Sequence, residues 1–182
     1  MEKAEYLLSI AKGRRSIRRF KSDPVQKEHL GFIFEAARWA PSAGNRQSWR
    51  FIVVTQSRMR QKIGEIYQEI REGELKQLPP DSPYYKAMSE RIKANFYKNM
   101  LAGAPVNIVV CGIPKESFRM RTCVQDCAIT TQNILLMAHA LGLGSVYINF
   151  DRPEHEDLVK QIQKLLEAPE DVKIMAILPL GY

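Results

Sequence analysis

The sequence has few cysteines and no long apolar run, which argues against a disulfide-rich secreted domain and against a membrane-spanning protein. Its 182 residues include three cysteines, an odd number that does not make the disulfide scaffold of a small secreted domain. The longest apolar stretch, residues 134–143, is too short and too interrupted by polar residues to span a bilayer. The first residues lack the apolar core of a signal peptide. We therefore expect a cytoplasmic protein with free thiols and no membrane partner.

Repeats, low-complexity tracts and linkers are also absent, so residues 1–182 are expected to form a single domain. Hydrophobic residues at 45% and charged residues at 26% are close to globular averages, which argues against disorder. Two predicted helices, residues 3–12 and 26–40, precede the first predicted strand, residues 50–55. This order is not a regular βαβ alternation. It predicts an α+β fold in which helices flank a central sheet.

Hydrophobic spacing and breaker residues predict the remaining elements. Gly13 is expected to end the first helix in a left-handed conformation, and Gly142 to end the longest one. The other expected elements are a helix over residues 59–70, a polar loop over 71–82, a helix that begins at Ser82-Pro83 and includes Phe96, a strand over 106–112, a helix over 121–141, a strand over 145–149, a helix over 153–166 and a strand over 172–180.

Basic residues outnumber acidic ones by 27 to 20, for a net charge of +7. Such a positive surplus attracts nucleic acid, anionic membranes or phosphorylated small molecules, and the net charge alone does not show which of them is the partner. Four of the arginines lie in residues 14–19, which we call the arginine segment. In extended backbone Arg14, Ser16 and Arg18 point to one side and offer guanidinium and hydroxyl donors to a phosphate. The alternative is a solvated basic strand or a nonspecific polyanion contact.

Two further segments contain turn residues. Residues 41–48, the 41–48 loop, follow a helix that a proline ends, and they are rich in backbone and amide donors. Such a loop can bond the edge of a planar heterocycle, although many surface turns share this composition. Residues 141–145 (LGLGS) lack the third glycine of a dinucleotide-binding loop and lie between a helix and a strand. That order is the reverse of the Rossmann motif, so both glycines are explained by a helix end and a turn.

Taken in order, four segments resemble the flavin (FMN)-dependent nitroreductase family. They are RRSIRRF (residues 14–20), AARWAPSAGNRQSWRFIVV (36–54), QNILLMAHALGLGSVYIN (132–149) and VKIMAILPLGY (172–182). The resemblance leaves residues 56–100 without a matching motif. It implies a nitroreductase-like fold with a mostly antiparallel central sheet. It also implies an intertwined homodimer with two FMN sites across the subunit interface.

The resemblance further implies three groups of cofactor-binding residues. One group would hold the phosphate, the ribityl chain and the pyrimidine side of FMN: Arg14, Arg15, Ser16 and Arg18. A second group would reach the flavin of the partner subunit: Pro41, Ser42, Ala43 and Asn45. Gln47 would support the loop that carries them. A third group would lie nearest the reactive nitrogen of the ring: Ile148 and Asn149. An arginine beside the pyrimidine is physically sensible because it stabilises an anionic reduced flavin.

The family's chemistry implies an NAD(P)H-dependent FMN oxidoreductase that reduces nitroaromatics, quinones or similar electron-accepting small molecules by a ping-pong mechanism. The flavin carries this chemistry, so we predict no catalytic side chain and no metal. The choice between NADH and NADPH stays open, as does the substrate. Other flavin chemistry on the same fold is an alternative: flavin fragmentation, reductive dehalogenation or enoate reduction. A basic nucleic-acid-binding module is disfavoured because only Phe20 accompanies the arginine segment, and we expect no nucleic-acid partner.

Several other polar and aromatic residues are expected to be structural. The isolated histidines His29, His139 and His155 are assigned to the surface or to packing, and Cys123 and Cys127 to the core. Trp39 and Trp49 are expected to pack beside the 41–48 loop, with direct stacking on the flavin as the alternative. Many family members continue past the last strand with a basic arm, and the sequence stops at Tyr182. The arginine segment is therefore expected to be the main phosphate anchor.

Overall fold

The protein is described here from a computed structural model, which covers residues 2–114, 120–150 and 153–182. These residues form seven α-helices and five β-strands. The helices are α1 (Glu2–Gly13), α2 (Lys27–Arg38), α3 (Ser57–Leu75), α4 (Pro83–Lys93), α5 (Phe96–Ala102), α6 (Met120–Ala140) and α7 (Glu156–Leu165). The strands are β1 (Trp49–Val54), β2 (Val106–Gly112), β3 (Gly144–Ser145), β4 (Ile148–Asn149) and β5 (Lys173–Gly181).

The five strands form one sheet in the order β1-β2-β5-β3, and β4 also pairs with β5. Every strand pairing is antiparallel, which confirms the predicted α+β class. Strand β2 is buried along its whole length because helices cover both faces of the sheet. Ile108 and Val110 pack in a cluster with α2 and α6, whereas Val109 and Cys111 pack with α3, α5 and α7. This alternation is the period-two pattern of a strand with two buried faces.

The strand predicted over residues 145–149 is instead two short strands. Ser145 pairs with Leu180 and Ile148 with Ile177, so β3 and β4 share one register along β5. That register places Pro179 opposite Val146 in the gap between them. Since proline has no N–H to donate, the ladder is interrupted there.

The polar loop predicted over residues 71–82 was placed too early, because α3 continues to Leu75. Arg71 and Glu74 form an ion pair one helical turn apart, and the Arg71 guanidinium lies over the Tyr97 ring at 4.9 Å. These tertiary contacts stabilise a helical turn whose composition alone is typical of a loop.

The helix that begins at Ser82 also differs from the prediction. Its start is confirmed, since the Ser82 hydroxyl accepts a hydrogen bond from the Tyr85 N–H at 3.0 Å. It ends at Lys93, however, and Phe96 belongs to the next helix, α5. Asn95 between them adopts a left-handed conformation (φ 51°), which asparagine tolerates better than most residues.

Two other helix ends are partly as predicted. Gly142 has φ 77° and follows α6, the longest helix, as expected. Gly13 is the last residue of α1 but does not have a positive φ, so its left-handed assignment was wrong. A Cβ at Gly13 would lie 2.6 Å from Nε2 of His139, so α1 approaches the His139 side chain of α6 closely at this residue. Residues 153–155 form a 3-10 turn, and the α-helix predicted from 153 begins at Glu156.

Candidate functional site

The arginine segment lies against β3. Ser16 forms a parallel bridge with Ser145, and the Ile17 N–H donates to the Ser145 carbonyl at 3.0 Å. Gly144 allows this approach, since a Cβ there would meet the Ile17 side chain at 2.8 Å. The backbone of the segment is thereby fixed beside the strand that leads to Ile148 and Asn149.

The side chains of the arginine segment differ in how they are held. Arg15 donates to the carbonyl of Arg14 at 2.9 Å, and Arg18 donates to the carbonyl of Ser16 at 3.2 Å. The half-buried Arg14 guanidinium and the exposed Ser16 hydroxyl have no hydrogen-bond partner within the described ranges. Guanidinium forks and a hydroxyl on one short segment are a donor set that fits a phosphate.

The 41–48 loop is held in an unusual backbone conformation by its own side chains. Gly44, Asn45 and Gln47 all have positive φ angles, of 59°, 51° and 47°. Such angles are uncommon outside glycine, with asparagine among the better tolerated. The Gln47 N–H donates to Ser42 Oγ at 3.0 Å, and Gln47 Nε2 donates to Asn45 Oδ1 at 3.1 Å. Asn45 and Gln47 are exposed at the end of a loop that is nevertheless fixed, and Pro41 is exposed where the loop begins.

A buried carboxylate that the sequence analysis missed lies beneath this loop. Asp126 on α6 is 5% exposed and accepts hydrogen bonds from the Ala43 N–H at 3.0 Å and from Ser48 Oγ at 3.3 Å. Its position, three residues after Cys123 and four before the buried Thr130, places it on the buried face of α6. Asp126 could have been singled out from the sequence, because a charged residue on a predicted buried helix face is unusual.

Helix α6 also fixes the end of α2, from which the loop starts. Thr130 Oγ1 donates to the Ala37 carbonyl at 2.7 Å, and Asn133 Nδ2 donates to the Ala36 carbonyl at 2.9 Å. These carbonyls belong to the last turn of α2, where intrahelical partners run out. One face of α6 therefore positions both the helix end and the loop.

Within one chain, the arginine segment and the 41–48 loop are far apart. The loop contacts α6 at Asp126, whereas Gly13, just before the arginine segment, meets α6 at His139. Thirteen residues of helix separate these two contacts, about 20 Å at the α-helical rise per residue. The structure therefore brings Arg14, Ser16 and the β3–β4 region together and leaves the loop at the other end of α6.

The two residues expected nearest the flavin nitrogen differ in exposure. Ile148 is 5% exposed and packs in the cluster with α3, so its side chain faces the core, whereas Asn149 is exposed. Both border a cleft of about 230 Å³ that lies between β4 and α3. The cleft, which we call the Arg71 cleft, is lined by Tyr67, Ile70, Arg71, Glu74, Tyr147, Ile148, Asn149, Phe150 and His155.

The cysteines are buried and suited to packing rather than to nucleophilic chemistry. Burial raises the pKa of the Cys111 thiol to about 12. A hydrogen bond with Cys123, followed by burial, raises the pKa of Cys127 as well. Both are therefore thiols at neutral pH. Across residues 2–114, 120–150 and 153–182, no group of three histidine, cysteine or acidic side chains is placed to hold a metal ion.

The tryptophans and histidines are placed in different environments. Trp49 is buried at the start of β1, whereas Trp39 is 79% exposed and donates from Nε1 to Glu35 at 2.8 Å. His155 is buried against Glu74, with 2.9 Å between Nε2 and Oε1. His29 accepts or donates a 3.2 Å hydrogen bond with the Tyr182 hydroxyl, depending on its tautomer.

Comparison with known proteins decides the family. The model of the nitroreductase family matches residues 11–182. The chain belongs to the nitroreductase family. It is 34% identical to a protein of Archaeoglobus fulgidus named NADH dehydrogenase/NAD(P)H nitroreductase, over 98% of this chain and 86% of that protein.

Two further comparisons widen the range of chemistry within the family. The solved structure of an FMN-dependent nitroreductase from Clostridium difficile superimposes with a TM-score of 0.74 at 26% identity, over 96% of this chain and 86% of that one. An iodotyrosine deiodinase of Thermotoga neapolitana is 26% identical, over 97% of this chain and 88% of that protein.

These findings confirm the family and the nitroreductase-like fold expected from the sequence. The names of the relatives support the expected class of enzyme, an NAD(P)H-dependent oxidoreductase with FMN as its cofactor. None of the helices described in the chain has the length and apolar character needed to cross a bilayer.

Proposed function

We propose that this protein is an FMN-dependent oxidoreductase that uses NAD(P)H to reduce nitroaromatics, quinones or similar electron-accepting small molecules. The observation that carries the proposal is the bridge between Ser16 and Ser145. It holds the donors of the arginine segment directly beside the β3–β4 segment, in a chain that belongs to the nitroreductase family. FMN, when bound, supplies the two-electron chemistry by which hydride from NAD(P)H is passed on to the acceptor.

The chain's own residues bind and orient in this proposal. Arg14, Arg15 and Ser16 hold the phosphate and ribityl chain by charge-assisted hydrogen bonds. Arg18 approaches the pyrimidine side, where its charge favours electron-rich flavin. Asn149 lies beside the reactive part of the ring and is exposed, whereas the buried Ile148 contributes through its backbone.

The second half of the site comes from a second copy of the chain in this proposal. Since the 41–48 loop lies about 20 Å along α6 from the arginine segment, Pro41, Ser42, Ala43 and Asn45 serve the flavin of the partner subunit. Gln47 supports them through its hydrogen bond with Asn45.

Exposed apolar side chains support the homodimer. Helix α1 has no buried residue, and its Tyr6, Leu7 and Leu8 are 52–64% exposed. Phe32 and Trp39, on and just after α2, are 58% and 79% exposed. A 12-residue helix with no buried residue is marginal in water, so burial of these apolar side chains against a partner would stabilise it. Sedimentation at micromolar concentration should give twice the chain mass, and a flavin-loaded monomer would contradict the shared site.

The flavin assignment is tested by the yellow colour of bound FMN and by the loss of that colour when the flavin is reduced. The purified protein should be yellow, or become yellow with FMN, and NADH or NADPH should bleach the flavin absorbance without oxygen. Adding a nitroaromatic or a quinone should then restore the colour. A protein that cannot be loaded with FMN would overturn the proposal, and comparison of the two nucleotides would identify the donor.

Reductive dehalogenation is the second candidate, and the similarity to iodotyrosine deiodinase of Thermotoga neapolitana favours it over flavin fragmentation and enoate reduction. The test is release of iodide from 3-iodotyrosine by the reduced, FMN-loaded protein. Rapid iodide release together with slow nitroaromatic reduction would favour dehalogenation over nitroaromatic and quinone reduction.

A further inference from the structure

The Arg71 cleft has the size and the walls of a binding site for one aromatic ring. Its volume is about 230 Å³, and an apolar cavity of about 150 Å³ is enough to admit benzene. Tyr67, Tyr147 and Phe150 line it, and the rings of Tyr67 and Phe150 are 5.5 Å apart. The cleft borders Asn149, so a ring bound there lies next to the proposed flavin site.

The cation among the polar residues that line the cleft is Arg71. Arg71 donates to the Tyr84 hydroxyl at 3.0 Å and to Glu74, and its guanidinium lies over the Tyr97 ring. Its Nε is buried and has no hydrogen-bond partner within the described part of the chain. Arg71 also lines the cleft, so an anionic oxygen that enters the cleft can accept a charge-assisted hydrogen bond from the guanidinium.

The charges around Arg71 limit which ligand can enter. The side chains of Arg71 and Glu74 are 14% and 17% exposed, and that of His155 is 9% exposed. Burial alone would lower the pKa of Arg71, but the hydrogen bond with Tyr84 and the interactions with Tyr67, Glu74 and Tyr97 together outweigh burial and raise the pKa. The cation is thus kept in a poorly hydrated place, where its field on a neighbouring group is weakly screened.

We propose that the Arg71 cleft is a subsite for single-ring aromatic electron acceptors that carry an anionic group, and that Arg71 sets the preference for the anion. This inference rests on the proposed function and names the substrate class of that site. Arg71 supplies the donors, the aromatic walls hold the ring, and Glu74 opposes the anion by competing for Arg71.

The test measures binding without turnover. Calorimetry of the purified, oxidised protein with no NAD(P)H present compares 4-nitrobenzoate with its neutral analogue 4-nitrobenzamide. Arg71→Met should weaken 4-nitrobenzoate binding by about tenfold or more, because a charge-assisted hydrogen bond is lost, and leave 4-nitrobenzamide almost unchanged. Arg71→Lys should retain part of the preference. The control is Arg58→Met, which removes an exposed arginine from the same helix and should change neither affinity.

Glu74→Gln gives an independent result of opposite sign, which matters if Arg71→Met folds poorly. It removes the competing charge but keeps an amide oxygen for Arg71, so 4-nitrobenzoate should bind a few-fold more tightly. The subsite is overturned if Arg71→Met weakens both ligands equally or neither, or if Glu74→Gln weakens 4-nitrobenzoate. If the binding pattern is as expected but neither these compounds nor a quinone is turned over with NAD(P)H by the FMN-loaded protein, the proposed function fails and the subsite stands.

Discussion

The arginine segment and Arg71 use the same side chain in opposite environments. Arg15 and Arg18 are exposed and bond only to nearby backbone carbonyls, and Arg14 has no partner in the described part of the chain. Arg71 is enclosed by an acid, a hydroxyl and an aromatic ring, and it joins α3 to α4 and α5.

The difference in environment suits the arginine segment to affinity for the cofactor phosphate and Arg71 to selectivity among ligands. An arginine that is not paired within the protein can attract a phosphate with its full charge. Because the site is exposed, salt screens this attraction. An arginine paired with Glu74 attracts an anion less strongly than an unpaired one, but it is fixed in one place, so it can orient a ligand and favour an anionic one. Breaking its network should cost stability, whereas removing Arg14 should cost cofactor affinity.

The largest expected effect is on stability, from Glu74→Ala. The change leaves Arg71 as a buried cation without its ion pair and should lower the free energy of unfolding by about 3 kcal/mol. Urea unfolding of both proteins measures it. The control is Glu156→Ala, whose ion pair with Lys160 is 58% exposed on both sides and should not matter measurably. Equal effects of the two changes would show that Arg71 and Glu74 are not effectively buried.

The second effect is on cofactor affinity, from Arg14→Ala. Loss of a charged hydrogen bond to phosphate should weaken FMN binding by about 1.5–3 kcal/mol, which is roughly tenfold or more. Quenching of FMN fluorescence on titration of the apo-protein measures it, with Arg58→Ala as the control. Unchanged affinity in the Arg14 variant would remove its phosphate role, and a matching loss of stability would assign it a structural one.

The third effect concerns the 41–48 loop, which we propose serves the flavin of the partner subunit. Asp126→Ala removes the acceptor for the Ala43 N–H and for Ser48 and should weaken FMN binding by about 1–2 kcal/mol through the loop. Asp126→Asn keeps one acceptor oxygen and should restore most of the affinity. If both variants bind FMN as the wild type does, the loop does not contact the flavin.

The smallest effect is the salt dependence of cofactor binding. FMN phosphate carries close to two negative charges at neutral pH, and an exposed arginine site is screened as salt rises. FMN affinity should therefore fall between low salt and about 0.5 M salt, whereas riboflavin, which lacks the phosphate, should bind weakly and almost independently of salt. A flat FMN curve would mean that the phosphate is buried away from solvent.

Elements with strong local signals were predicted well from the sequence. Helix α6 and strand β2 lie within a residue of their expected bounds, since each has a clear apolar period. Two of the errors occurred where a distant residue decides the local structure. Pro179 interrupts the pairing of residues 144–149, and the contacts of Arg71 extend α3 into a polar stretch.

The amino-acid sequence alone was enough to predict the family and the α+β class and to nominate cofactor-binding residues, because the motifs are contiguous segments whose order along the chain is visible. Only the tertiary structure revealed Asp126 beneath the 41–48 loop, 83 residues from the Ala43 N–H whose hydrogen bond it accepts. Only the tertiary structure placed Arg71 beside Asn149 in one cleft. Side chains so far apart in sequence leave no joint local pattern, and packing of α3 and α6 on the sheet brings Asp126 to the 41–48 loop and Arg71 to the cleft beside β4.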